Sequence, residues 1–132
     1  MRGPQALAAT IGCAALAVAG LAGAATAGAT PVFVKAARAA DGGVYIVVRV
    51  RPQGGTRCKV NLFARVYVEA PPIRVVGGHG RQTVDACFRT MWSGTVPARL
   101  PPRVDYVVCV RATNNNDAGQ TIAHTSCRRF RG

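Results

Sequence analysis

The amino-acid sequence predicts an all-β domain, built as a sandwich or a barrel of antiparallel strands. Apolar and polar residues alternate with a period of two along several segments after residue 30, and no segment there has helical spacing. Clusters of Pro, Gly, Asn and Asp separate these segments at short intervals. The 132 residues leave room for one domain, and a hydrophobic content of 49% is too high for a disordered chain.

Residues 1–29 have the pattern of a secretory signal peptide. Arg2 supplies the positive start, residues 6–21 are almost free of polar groups, and the small residues 27–29 form a cleavage site. We expect cleavage after position 29, a β domain over 30–132, and no transmembrane segment in the mature chain. An uncleaved membrane anchor is the alternative, but a stretch built from Ala and Gly makes a poor spanning helix.

Four segments carry the clearest strand pattern. The first two have apolar residues at the even positions of 44–50 and of 58–68. The third lies within 83–96 and the fourth within 104–112, while the glycine-rich stretch 77–80 is expected to form a loop. The core residues expected in the third segment are Val84, Ala86, Phe88 and Trp92.

A β-hairpin is predicted at the carboxyl end of the chain. A three-residue loop at 117–119, with Gly119 in the left-handed conformation, would pair Asn116 with Gln120. Counting outward, the register pairs Thr113 with Ala123, Arg111 with Thr125, and Cys109 with Cys127. Directly opposed Cβ atoms lie close enough for a disulfide after a small adjustment, so the last pair is predicted to be bridged.

Removal of the signal peptide would leave four cysteines, an even number typical of exported disulfide-bonded proteins. With Cys109 bound to Cys127, the remaining bridge is Cys58 to Cys87. The alternation places Cys58 on the core-facing side of its strand and Cys87 on the opposite side. This bridge therefore requires a strand end or a bulge. Zinc is the competing interpretation, but no two of these cysteines have the spacing of a zinc knuckle. We therefore expect no metal and no cofactor.

Residues 100–112, with the sequence LPPRVDYVVCVRA, resemble the E–F corner and F strand of fibronectin type III domains. Residues 31–33 look like the first strand of that family. The resemblance implies a single immunoglobulin-like antiparallel β-sandwich of about seven strands, with the second and third strands in opposite sheets. It implies that Tyr106 packs in the core with its hydroxyl tied to the preceding turn. It also brings Cys58 and Cys87 to the same end of the sandwich.

The charge of the chain points to anionic partners. The mature chain would hold sixteen basic residues against five acidic ones, a formal charge of +11, and fourteen of the sixteen are Arg. In the sandwich topology, one outward sheet face would combine basic and aromatic side chains, a combination that suits anionic glycan, nucleic acid or lipid headgroups. The predicted anion-binding residues are Lys59, Phe63, Arg65, Tyr67 and Arg111 on this face, and Arg128, Arg129 and Arg131 in the tail.

Two other interpretations of this charge and scaffold stay open. A sequence rich in Ala, Gly, Val and Arg and poor in Lys is typical of a high-GC genome, and scattered arginines then form only a solvated surface. Alternatively, the protein is a secreted protein-binding module such as a protease inhibitor, which would present residues 75–82 or 113–120 as a rigid loop. The sequence has no specific nucleic-acid motif.

Catalysis is not expected. Ser93 and Ser126 are the only serines, and the chain has a single Glu, so neither a Ser, His and Asp set nor a carboxylate pair is evident. His124 falls opposite Ala112 in the predicted hairpin, which makes it a strand residue rather than a base. The sequence therefore predicts a small, basic, non-catalytic protein outside the cell, at the exterior of a bacterial envelope, which binds anionic polymers.

Overall fold

The protein folds into seven β-strands in two antiparallel sheets, as seen in a computed structural model that describes residues 28–69 and 71–132. None of the described residues lies in a helix, so the predicted all-β fold is confirmed. The predicted signal peptide lies outside the described residues except for Gly28 and Ala29. The strands are β1 (Val32–Arg38), β2 (Val44–Arg49), β3 (Lys59–Val68), β4 (Arg74–Asp85), β5 (Met91–Val96), β6 (Tyr106–Asn115) and β7 (Thr121–Phe130).

The two sheets divide the strands unequally. One sheet has the order β1-β2-β5 and the other has the order β4-β3-β6-β7. The chain therefore crosses from one sheet to the other between β2 and β3, as the family resemblance implies, and β3 and β6 occupy the centre of the larger sheet. Successive side chains of a strand point to opposite faces of the sheet, and β3 and β6 show an uninterrupted alternation of buried and outward-facing residues.

The core lies between the sheets and is made mainly of valine. The residues at even positions in β2, β3 and β6 are buried, which confirms the period-two pattern of the sequence. Fully burying one such side chain contributes about 1.5–3 kcal/mol. The largest fully buried side chains in the strands are Val44, Ile46, Val48, Val60, Leu62, Val66, Val68, Val96, Val108 and Val110.

The hairpin of β6 and β7 has the predicted register. Cys109 lies opposite Cys127, and the two form a disulfide with their Cα atoms 4.0 Å apart. Gly119 has a φ of +80°, the left-handed conformation that the loop requires. The N–H of Asn116 donates to the carbonyl of Gln120 at 3.0 Å and closes the loop. Local turn chemistry therefore determines where this disulfide forms.

The second disulfide joins Cys58 to Cys87, as predicted, with Cα atoms 5.2 Å apart. Cys58 immediately precedes β3, and Cys87 lies in the turn after β4. The N–H of Ala86 donates to the carbonyl of Cys58 at 2.8 Å, which holds the two chain segments together. Both cysteines thus lie at strand ends, and the difference in parity that the sequence indicated is accommodated there.

The glycine-rich stretch 77–80 is not a loop, and the prediction made for it was wrong. These residues lie in β4, paired with β3. Gly78 N–H donates to the carbonyl of Pro97 at 2.9 Å, and Arg99 N–H donates to that of Val76 at 2.9 Å. Glycine is present here because β4 approaches the backbone that follows β5 very closely, not because the chain turns.

The expected core position of Phe88 was also wrong, since this side chain is 92% exposed. The chain turns after β4, where the N–H groups of Phe88 and Arg89 donate to the carbonyl of Asp85 at 3.2 and 2.8 Å. This turn divides the segment 83–96 between β4 and β5, so the parity count does not continue across it. Trp92, beyond the turn, packs against the core as expected.

Arg38 ties the end of β1 to the turn before β6. Its guanidinium donates to the carbonyls of Leu100, Pro101 and Val104 at 3.3, 2.5 and 3.1 Å. It also lies 5.9 Å from the ring centroid of Tyr106, which is buried as the resemblance implies. In the described part of the chain, the turn carbonyls are thus held by Arg38 rather than by the tyrosine hydroxyl.

Candidate functional site

The outer face of the four-stranded sheet carries the residues that the sequence singled out. Because side chains alternate along β3, its outward positions are separated by about 6.6–6.8 Å. They form a row that combines cations, aromatic rings and an amide on one side of the domain. The outward residues of β3 are Lys59, Asn61, Phe63, Arg65 and Tyr67.

A hollow of about 450 Å³ lies in the middle of this face, and we call it the aromatic hollow. Four of the predicted anion-binding residues line it, although they come from two different strands. The β-sheet register explains this, because Arg111 of β6 lies directly opposite Phe63 of β3. The lining consists of Phe63, Ala64, Arg65, Tyr67, His79, Gly80, Cys109, Arg111 and Thr125.

The aromatic hollow combines flat apolar surface with free positive charge. Phe63 and Tyr67 are half-buried, whereas Arg65 and Arg111 are exposed. Arg65 lies opposite Cys109, so one sulfur of the Cys109–Cys127 disulfide belongs to the wall. Among the described residues, none of those lining this hollow is acidic. Such a surface can stack against a sugar ring or a base while the guanidinium groups pair with oxyanions.

His79 borders the aromatic hollow on the β4 side and links the two sheets. Its ring meets Trp92 edge-on, with centroids 5.1 Å apart and planes at 71°. Its Nδ1 lies 2.8 Å from the carbonyl oxygen of Gly80, and its buried Nε2 has no hydrogen-bond partner among residues 28–69 and 71–132. The histidine therefore packs β4 against β5, and it holds one border of the hollow in place.

A second hollow of about 600 Å³ adjoins the first toward the start of β3, and we call it the basic hollow. Of its residues, the sequence prediction included only Lys59. Arg57 was missed because it lies just before a strand, and Arg81 because its strand was interpreted as a loop. Glycine within a strand often marks a bulge, so Gly80 was the feature of the sequence that could have indicated the position of Arg81. The lining consists of Arg57, Lys59, Asn61, Arg81, Thr83, Thr113, Asn114, Asn115 and Thr121.

The predicted basic cluster of the tail lies apart from both hollows. The guanidinium of Arg128 lies 5.5 Å from the ring centroid of Phe130, and Arg129 forms an ion pair with Glu69. Arg131 is exposed beyond the end of β7. By register Arg129 lies on the outer face, in line with Tyr67 and Val107, where Glu69 offsets its charge. Arg128 lies opposite the buried Val108 and therefore does not belong to that face.

The loops proposed for a protease inhibitor take other forms. Residues 75–82 belong to β4, so that loop does not exist. At the other candidate, 113–120, the first three residues lie in β6 and the rest form the hairpin loop. That loop is held by hydrogen bonds from Asn116 Nδ2 to Gln120 Oε1 at 2.9 Å and from Gln120 N to Asn116 Oδ1 at 2.8 Å. It is a tight turn held by its own hydrogen bonds, and its residues 117–120 are exposed.

Within the described ranges, one group of potential metal ligands occurs, formed by Cys58, Asp85 and Cys87. Its two sulfurs form the disulfide, so they are not present as thiolates, the form of cysteine that binds metals. In the same ranges, no helix is long and apolar enough to span a membrane. The two disulfides fit an extracellular protein.

The chain matches no family model, no curated protein and no solved structure. The geometry and charge of the outer face are therefore the features that indicate a function.

Proposed function

We propose that this protein is a secreted, non-catalytic binding protein that holds anionic polymers against the outer face of its four-stranded sheet. The observation that supports the proposal is the aromatic hollow, where Phe63, Arg65, Tyr67 and Arg111 converge. Charge alone would not require aromatic rings at these positions. Rings between arginines provide stacking surface beside anion-pairing groups, as in sites that bind charged polymers without reading a sequence.

The proposed site of action is the exterior of a bacterial envelope, where anionic polymers are abundant and disulfides persist. We also propose that the domain is fibronectin type III-like. The sheet order and the crossing between β2 and β3 support this relationship. That family consists mainly of binding and spacer modules, but a fold by itself does not define a function, so the proposal depends on the hollow.

The test is retention of the oxidised protein on heparin and polyphosphate columns across a salt gradient, beside an unrelated basic protein of similar charge. Binding through arginines should weaken steeply as salt rises. We expect Phe63→Ala, Arg65→Ala and Arg111→Ala each to elute at lower salt than the unsubstituted protein. The matched control is Arg49→Ala, which removes one exposed positive charge from the opposite sheet.

Two results would contradict the proposal. Retention equal to that of the unrelated basic protein would mean that the net charge alone explains the binding, without a specific site. An equal effect of Arg49→Ala and Arg65→Ala would mean that the aromatic hollow has no special role. The Phe63→Ala variant is the most informative, because it keeps the full charge and removes only stacking surface.

A further inference from the structure

The basic hollow gathers three cations that form no ion pair in the described part of the chain. Arg57, Lys59 and Arg81 line it, and none of its described lining residues is acidic. Asp85 lies opposite Lys59 in the sheet, but its Oδ1 accepts a hydrogen bond from the N–H of Cys87 at 3.3 Å. In residues 28–69 and 71–132 the one ion pair joins Arg129 to Glu69, so none of the three cations is ion-paired there. Three positive charges beside the single carboxylate of Asp85 leave this hollow with a net positive charge.

Two asparagine side chains of the basic hollow, Asn61 and Asn115, are oriented by neighbouring hydroxyl groups. The hydroxyl of Thr83 donates to Asn61 Oδ1 at 2.9 Å, and that of Thr121 donates to Asn115 Oδ1 at 3.1 Å. Each amide oxygen thereby accepts one hydrogen bond, which leaves the amide nitrogen of the same group as a donor for a ligand. Together with the cations, the two amides offer a ligand many donors, which favours a ligand rich in acceptors.

Arg81 lies in a β-bulge, which places it beside this hollow. In the pairing of β3 with β4, Gly80 and Arg81 together lie opposite the single residue Phe63. Bulges bend a strand and redirect a side chain, and they are frequent beside functional sites. Here Gly80 lines the aromatic hollow and Arg81 lines the basic hollow. The two hollows therefore meet at Phe63, and they form consecutive parts of one face.

We propose that the basic hollow is a subsite for the oxyanion of a phosphate or sulfate ester carried by the bound polymer. The inference rests on the proposed function, because it names the group of that polymer which this end of the face holds. Planar guanidinium groups and amide donors match the acceptor oxygens of such esters. From Lys59 to Arg65 the face extends about 20 Å, so neighbouring units of the same polymer reach the aromatic hollow.

The experiment titrates the oxidised protein with sodium sulfate and with orthophosphate at constant ionic strength, followed by amide chemical shifts in NMR spectra. We expect a saturable site, with shifts centred on residues of the basic hollow. Arg81→Gln and Lys59→Gln should each weaken the binding of the small anion about tenfold, because each removes a hydrogen bond to a charged group. Arg49→Gln, in the opposite sheet, is the control and should leave the affinity unchanged.

Shifts that do not saturate, or an equal loss in Arg49→Gln, would overturn the subsite. Glucose 6-phosphate and glucose 6-sulfate, compared in the same titration, identify which ester the subsite prefers, with glucose as the uncharged reference. Binding of glucose as strong as that of its esters would also overturn it.

Failure of the subsite and failure of the proposed function give different results. If polymer retention depends on Phe63 and Arg65 but not on Lys59 or Arg81, the function stands and the subsite is wrong. If small anions bind at Arg81 but polymers elute with the unrelated basic protein, the subsite stands and polymer binding is wrong.

Discussion

Gly77 of β4 forms an isolated antiparallel bridge to Ala98, a residue that follows β5 in the other sheet. The two backbones approach so closely that a Cβ atom added to Gly77 would lie 2.3 Å from the Cα of Ala98 and 2.2 Å from the carbonyl oxygen of Pro97. Both neighbouring atoms belong to the backbone, so no side-chain rotation relieves the clash. Glycine at this position is therefore a condition for joining the two sheets at this edge.

We predict that Gly77→Ala lowers the free energy of unfolding by about 2–3 kcal/mol, because it forces the two backbones apart. Urea unfolding with both disulfides intact measures the change. Gly80→Ala is the matched control, since a Cβ atom there meets no atom of the described residues within 4 Å, and we expect a change below about 0.5 kcal/mol. Equal effects of the two substitutions would contradict the argument from close approach.

The same glycines show what the sequence alone can predict about the fold. Period-two alternation identified β2, β3 and β6 because these strands bury one face, and the loop at 117–119 determined the register of the last hairpin. The run 77–80 was interpreted as a loop because a glycine needed for close approach looks the same as one needed for a turn. Only the fold shows which backbone lies beside it.

For the candidate site, the position of a residue could be predicted where it depended on a regular strand. Parity placed Phe63, Arg65 and Tyr67 on the outer face, and the hairpin and sandwich topology added Arg111. Arg81 could not be placed, because its position depends on a bulge that shifts the pairing of β4 by one residue. The ion pair of Arg129 could not be predicted either, because the sheet order brings Glu69, at the end of β3, close to β7.

Arg38 should contribute strongly to stability, because it donates to three carbonyls in the turn before β6. We predict that Arg38→Met lowers the free energy of unfolding by about 2–3 kcal/mol, since the half-buried carbonyls lose their partners. Arg38→Lys should recover less than half of this loss, because an ammonium group cannot reproduce the planar fork. Thermal and urea unfolding measure both variants.

Arg51→Met provides the control for Arg38, since Arg51 is exposed. It should change the free energy of unfolding by less than about 0.5 kcal/mol. A loss in Arg51→Met as large as that in Arg38→Met would show that the effect comes from the net charge of the protein and not from the carbonyl contacts.

The stability of the protein should fall in alkaline solution because of Tyr106. Burial raises the pKa of its hydroxyl above the usual value of 10.0, and the nearby Arg38 opposes this shift. The unfolded chain therefore loses this proton at a lower pH than the folded protein does. The contribution to stability is complete below about pH 10 and is lost as the pH rises above it.

Tyr106→Phe tests this relationship, because it removes the titrating group and keeps the ring. The difference in free energy of unfolding between the two proteins should be constant from pH 7 to 9. Above pH 10 the free energy of unfolding of the unsubstituted protein should fall relative to that of the Phe variant. A difference that stays constant up to pH 11.5 would contradict the raised pKa. In a protein that also carries Arg38→Met, the folded state should lose the Tyr106 proton at a higher pH, because the charge that lowers this pKa is gone.

The first two described residues pack as part of the domain. Ala29 is 1% exposed and forms an isolated bridge to Pro52, and the carbonyl of Gly28 accepts a hydrogen bond from the N–H of Gln53 at 3.1 Å. Cleavage after Ala29 would remove both contacts. A chain that begins at Thr30 should therefore be about 2 kcal/mol less stable than one that begins at Gly28, from one buried methyl group and one hydrogen bond.

Urea unfolding of these two chains, both oxidised, measures the difference. Gly28→Ala, in the chain that begins at Gly28, is a second test of the same contacts. An added Cβ atom would lie 2.5 Å from a methyl carbon of Ile122, and the φ of +93° disfavours any residue but glycine. This variant should lose stability toward the level of the shorter chain. Equal stability of all three proteins would show that Gly28 and Ala29 do not anchor the start of the domain.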